Sequence, residues 1–257
     1  MIISYKHRFI FVHCRKAAGS SITAYLNRHL GPDDIQIGIW KGSLHAGGQT
    51  TRRVVRECFK PAGIRAIARR LGQSIRTRRR PTAGQLLNAA NRAHWARWFP
   101  AKPMHPTAEE IAATFPEEWE QFFKFCFVRN PWDRTVSEFT WARAAEKGVS
   151  FEEFVERIAD PDRPDPEKVR PVPVNTWPMY TLGGEVAVDF VGRFESLQND
   201  MRAICHRIGI PFEPECFPTL KRGPGWDYTS FYTDHETEMI RRTHEPEINQ
   251  FNYRFCE

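Results

Sequence analysis

No apolar run in this sequence approaches the roughly 20 residues that cross a bilayer as a helix. The opening residues, Met1-Ile2-Ile3-Ser4-Tyr5-Lys6-His7-Arg8, lack the layout of a signal peptide and pass directly into a strand-like run. The two absences together lead to the expectation of a cytoplasmic protein. Six cysteines are present, but none has metal-ligand spacing, and Cys14 and Cys126 stand inside apolar runs. Buried free thiols are therefore expected, without a disulfide framework or a metal site. No internal repeat is visible, which sets repeat architectures aside. The Walker order Gly-Lys-Ser/Thr is missing too, and with it the usual magnesium–nucleotide loop.

Acidic residues are nearly absent from one segment. Residues 52–102 hold fourteen Lys and Arg, among them Arg69, Arg70 and Arg78 to Arg80, against the single acid Glu57. The chain's net charge of +6 therefore hides a basic insert, at about 41–102, on a mildly acidic body. Such a segment is either a surface for an anionic acceptor or a solvated charged loop. Nucleic acid competes for the same charge, because phosphate backbones bind basic helices without sequence information. Trp95, Trp98 and Phe99 close the segment, either to stack on sugar rings or to anchor the insert to the core.

Two short stretches carry chemistry. In the first, Phe9-Ile10-Phe11-Val12 leads through His13-Cys14-Arg15-Lys16-Ala17-Ala18 to Gly19-Ser20-Ser21. Gly19 lets the backbone approach an anion, while Ser20 and Ser21 open a helix whose unpaired N–H groups favour negative charge. Arg15 and Lys16 add positive charge beside it. In the second, Phe125 to Val128 runs into Arg129-Asn130-Pro131, and Ser137 follows on the helix that Asn130 caps and Pro131 opens. Arg129 and Ser137 then bracket one phosphate, unless Arg129 only pairs with Asp133. Both turns fall at the carboxyl ends of strands, where open α/β sheets bind ligands.

These residues resemble the sulfotransferases that use 3′-phosphoadenosine-5′-phosphosulfate (PAPS), most closely the carbohydrate-sulfotransferase branch and its bacterial members. The loop of that branch is matched by His13, Lys16, Ala18, Gly19, Ser20 and Ser21, and its Arg-Asn-Pro-x-Asp-Arg-x-x-Ser segment by Arg129 through Ser137. Asp189 to Leu197 and the run from Tyr228 to Tyr253 are similar to its later strand-turn and tail. The resemblance covers 8–30, about 104–145 and 186–255, and leaves 40–100 unexplained. It implies a PAPS-dependent sulfotransferase acting on a carbohydrate or glycolipid hydroxyl, with an acceptor either neutral or anionic and no metal required. A P-loop kinase or phosphotransferase, or a non-catalytic nucleic-acid-binding protein, are the other readings.

The resemblance also implies roles. Lys16 stabilises the leaving oxygen, Ala18 and Gly19 to Ser21 hold the 5′-phosphate, and Arg129 with Ser137 hold the 3′-phosphate. Arg193 flanks the nucleotide or serves a helix start. Lys221 or Arg222 closes over the nucleotide. For the base, His105 precedes a capped helix in a placement similar to the catalytic histidine of several relatives. His45, in a Gly-rich turn, is the alternative, and His13 is read as orienting the anion loop.

Alternating strands and helices predict an α/β fold: a single domain over 1–257, a three-layer P-loop-like sandwich with a central parallel sheet. Strands are expected near 8–14, 122–128 and 186–194. Helices are expected near 20–30, 132–146, 151–158 and 196–208. Thr107 with Glu110 and Thr233 with Glu236 form capping boxes, Pro116 and Pro246 interrupt helices, and six prolines between 161 and 178 impose an irregular stretch.

Overall fold

Phe9 to Val12 and Phe123 to Val128 are apolar at nearly every position, which suits strands covered on both faces. The computed structural model describes residues 1–220 and 227–256 and folds both runs as strands. In chain order, β1 (Ile2–Ser4) and β2 (Phe9–Val12) lead to α1 (Gly19–Asn27) and β3 (Ile35–Gln36). Next come α2 (Trp40–His45), α3 (Arg52–Cys58), α4 (Pro61–Thr77), α5 (Ala83–Trp95), α6 (Ala108–Thr114) and α7 (Pro116–Gln121). Then β4 (Phe123–Val128) precedes α8 (Pro131–Ala142), α9 (Phe151–Ala159) and the small hairpin of β5 (Thr181–Leu182) and β6 (Glu185–Val186). Finally β7 (Phe190–Arg193) is followed by α10 (Leu197–Arg207), α11 (Asp234–Thr243) and α12 (Glu245–Phe251).

The main sheet has the order β3-β1-β2-β4-β7. β2, β4 and β7 are parallel, as expected, but β1 runs antiparallel to both of its neighbours. The sheet is thus mixed, with a parallel half that carries the two turns. The reason is local: only four residues, 5–8, join β1 to β2, far too few for a parallel crossover.

Side chains alternate across this sheet with a period of two. Phe9, Phe11, Phe125 and Phe127 face α1 and α10, against Ile22, Leu26, Met201 and Ile204. Ile10, Val12, Cys126 and Val128 face the other layer, against Trp132, Phe139, Phe154 and Ile240. Gly192 of β7 permits this packing, since a Cβ there would lie 2.5 Å from the Phe127 ring. Helix starts follow the expected chemistry. Thr107 Oγ1 accepts from the Glu110 amide at 3.1 Å and Glu110 accepts from the Thr107 amide at 2.8 Å, while Thr233 and Glu236 repeat the box. Pro116 does end α6, but it also opens α7 at once.

The basic insert is helical, which removes the charged-loop reading. Thr51 caps α3, a Thr82–Gln85 box caps α5, and α4 packs along α5. Trp95 and Phe99 are buried in the core, whereas Trp98 is exposed. Glu57, only 4% exposed, ties α3 to α5 by accepting from Asn91 Nδ2 at 2.6 Å and Trp95 Nε1 at 3.0 Å.

Burial pushes the Glu57 carboxyl from its ordinary 4.5 up to about 7, with the two hydrogen bonds pulling the other way. The folded state therefore holds a proton that the unfolded state releases. Its stabilising share is full below pH 4.5 and is lost as pH rises through about 7. The loss is roughly 3 kcal/mol at most. Hydrogen exchange of the α5 amides, corrected for intrinsic rate, should show weakening protection over this window. Glu57→Gln should flatten the dependence, and an unchanged slope in that variant would locate the effect elsewhere.

Candidate functional site

The loop between β2 and α1 holds two non-glycine residues in the left-handed region, Lys16 and Ala18, both with φ 57°. Each costs about 1–2 kcal/mol relative to ordinary backbone, so the surrounding fold imposes the shape. Alternating backbone of this kind turns successive N–H groups towards one concavity. Among the described residues, the amides of Ala17, Ala18 and Gly19 donate to no other group. These amides, with the start of α1 beside them, form a cradle of unpaired donors. Gly19 is required here for a reason the sequence did not reveal. A Cβ at that position would lie 2.0 Å from the His13 ring, which roofs the loop and stacks on Phe11 at 5.9 Å. Ser20 stands half-buried at the start of α1. Ser21 is buried, and its hydroxyl accepts from the Leu220 amide at 3.0 Å.

Arg15 does not point into this cradle. It makes a buried two-pronged pair with Glu138, at 3.0 and 2.7 Å, and braces the loop against α8. Lys16 instead extends along α8, with Nζ 5.9 Å from the centroid of Trp141, a side chain 57% exposed.

Arg129 sits at the end of β4, on the strand next to β2. Its guanidinium grips Asp133 in two bonds of 2.7 and 2.6 Å, so the pairing considered from sequence is real. It is not the whole role of Arg129. Nη1 also donates to the Lys16 carbonyl at 3.2 Å, tying the second turn to the first, and Phe194 packs under the guanidinium at 4.1 Å. These bonds use three of the five donors of the group and leave two for a ligand. Asp133, Ser137 and Trp141 recur every four residues, so they share one face of α8. That face carries the Ser137 hydroxyl between the residue that holds Arg129 and the residue beside Lys16.

His105 is brought to the same place. Its Nδ1 lies 2.8 Å from the His13 carbonyl, which can only accept, so Nδ1 carries the proton and Nε2 keeps its lone pair. Its ring meets the His13 ring edge-on at 4.9 Å. Burial drives the imidazole down to about 3, the His13 carbonyl opposes this, and the Met1 amino group, Arg15 and Lys102 add to the fall. His105 is therefore neutral at every ordinary pH.

The other candidates have other surroundings. His45 ends α2 on the exposed surface. Arg193 holds the C-terminal segment, donating to the Phe251 carbonyl at 2.7 Å with Tyr253 beneath its guanidinium at 5.2 Å. Lys221 and Arg222 fall outside the described residues. No group of His, Cys, Asp or Glu among the described residues is placed to hold a metal ion. No described helix is long and apolar enough to cross a membrane. Sequence reasoning missed Trp141, Glu138 and Phe194. Trp141 alone left a trace, one helical turn beyond Ser137.

A family model described as "sulfotransferase family" matches residues 1–250. Over 100 residues the chain is 32% identical to an uncharacterized protein of Archaeoglobus fulgidus, a stretch covering 37% of this chain and 74% of that one. Among solved structures, a sulfotransferase from Alicyclobacillus acidocaldarius aligns over 96% of both chains at 15% identity, with a TM-score of 0.42.

Proposed function

The chain belongs to the sulfotransferase family, and from that premise we propose that it transfers the sulfuryl group of PAPS to a hydroxyl of a carbohydrate or glycolipid. The observation that carries this reading is the Arg129–Lys16 hydrogen bond, which makes two neighbouring anion positions into one site. PAPS has a phosphate at each end of its ribose and needs both. The amides of Ala17, Ala18 and Gly19, with Ser20 at the helix start, suit the 5′-phosphate. The two remaining donors of Arg129 and the Ser137 hydroxyl suit the 3′-phosphate. Ser21 supports the loop through Leu220, Arg15 braces it through Glu138, and Arg193 keeps the tail against β7.

The donor supplies an activated sulfur whose bond to the bridging phosphate oxygen breaks as the acceptor oxygen bonds to it. Negative charge then gathers on that phosphate oxygen, and Lys16 is the cation of the loop that meets it. The proton of the acceptor hydroxyl passes to Nε2 of His105, which the Nδ1 bond to His13 leaves ready to accept. Neither step asks for a metal.

Calorimetry with 3′-phosphoadenosine-5′-phosphate (PAP) tests the reading, since binding without magnesium is expected. Arg129→Ala should weaken PAP by about tenfold or more, because a charge-assisted bond is worth roughly 1.5–3 kcal/mol. Adenosine 5′-phosphosulfate, which lacks the 3′-phosphate, should be weakened far less. Equal loss for both ligands would take Arg129 away from the 3′-phosphate.

A further inference from the structure

The site uses almost none of the insert's charge, and α4 concentrates what is left. This helix has 17 residues, a length of about 25 Å. Its inner side lies against α5, where Gly63 is buried and Ala66, Ile67 and Ser74 are half-buried. Ile64, Ala68, Leu71 and Ile75 recur at i, i+4, i+7 and i+11, which is a single stripe down a helix. Residues with that spacing ordinarily face a core. Here all four face outward, with Ile64 53%, Leu71 44% and Ile75 81% exposed. Arg65, Arg69 and Arg76 form a parallel row beside the stripe, and Arg78 to Arg80 follow the end of the helix. All six arginines are exposed, and no acidic residue occurs from 58 to 108 to neutralise them.

We infer that α4 docks the protein on an anionic membrane surface, lying flat with its apolar stripe in the headgroup boundary and its arginines on the lipid anions. The charge and the stripe agree on this occupant. Nucleic acid would satisfy the arginines but has no use for four outward apolar side chains. A second copy meeting the same face about a two-fold axis would bring the two arginine rows together. A lipid surface takes both features at once, the apolar side chains at the acyl boundary and the cations at the headgroups. The arginines and the modest length of α4 keep it in the interface rather than across it. The inference goes beyond the sulfuryl-transfer reading and stands without it.

Vesicle co-sedimentation of the full chain provides the test, with phosphatidylcholine alone and with phosphatidylcholine–phosphatidylserine mixtures. Binding is expected to the mixed vesicles, weakening as salt is raised. Each of Arg65→Ala, Arg69→Ala and Arg76→Ala should lower partitioning about fivefold. Leu71→Ser combined with Ile75→Ser should lower it by roughly tenfold or more. These positions are exposed, so circular dichroism melts and PAP affinity should stay as in the parent protein. Failure to bind the mixed vesicles, or equal binding by the serine variant, would overturn the inference. So would a dimer in sedimentation velocity that the serine variant loses, or duplex RNA binding that replaces vesicle binding and survives the serine changes.

Discussion

Lys16→Ala should lower the rate of sulfuryl transfer by about 10²–10³-fold, the loss typical when one preorganised donor is removed from developing oxyanion charge. Affinity for PAP should fall much less. The cradle amides belong to the backbone, and the Lys16 carbonyl still accepts from Arg129 after the side chain is cut back. Residue 16 is in the left-handed region, but alanine already holds that conformation two residues later at Ala18. The loop should therefore keep its shape, and PAP titration of the variant checks that it does. A folded variant with near-normal turnover would remove Lys16 from the chemistry.

His105→Ala should reduce transfer by about 10²–10⁴-fold, the usual share of a general base, while leaving PAPS affinity nearly unchanged. The depressed basicity of His105 favours the lower end of that range, since a weaker base has less driving force for taking the proton. The sign of the pH effect follows from the same burial. A base works when neutral, and this imidazole, held down to about 3, is neutral throughout the range above that value. No acidic limb near 6.5 is therefore expected from His105 in the rate profile of the unliganded enzyme. Added imidazole should restore part of the activity of the alanine variant, which a purely structural role would not allow. If His105→Ala costs only a few-fold while His45→Ala abolishes transfer, the role passes to His45.

The parts legible in the sequence were those written locally. The apolar runs ending at Val12 and Val128, the Asn130–Pro131 helix start and the two capping boxes all appear where expected. β1 and β3 were not legible, because three and two residues carry no periodicity. The insert helices were hidden by their arginines, and in α4 by an apolar stripe that answers to no core. The pairing of Arg129 with Asp133 was visible as an i,i+4 spacing, while the Arg15–Glu138 pair spans 123 residues and could be found only after folding. A separation of 113 residues likewise hid the Arg129–Lys16 bond, although each residue is a site candidate in the sequence.

Helix α8 has a consequence for how the two turns are held in register. Asp133 grips Arg129, Arg134 is buried in a pair with Glu247 at 2.6 Å, and Glu138 holds Arg15. The face between these anchors carries Ser137 and Trp141. From Asp133 to Trp141 is eight residues, about 12 Å of helix at a fixed rise per residue. The carboxylates that hold Arg129 and Arg15 are thus kept at a fixed spacing by backbone hydrogen bonds inside one helix. A one-residue insertion between Asp133 and Glu138 would turn one carboxylate about 100° relative to the other and release one of the two turns the helix braces.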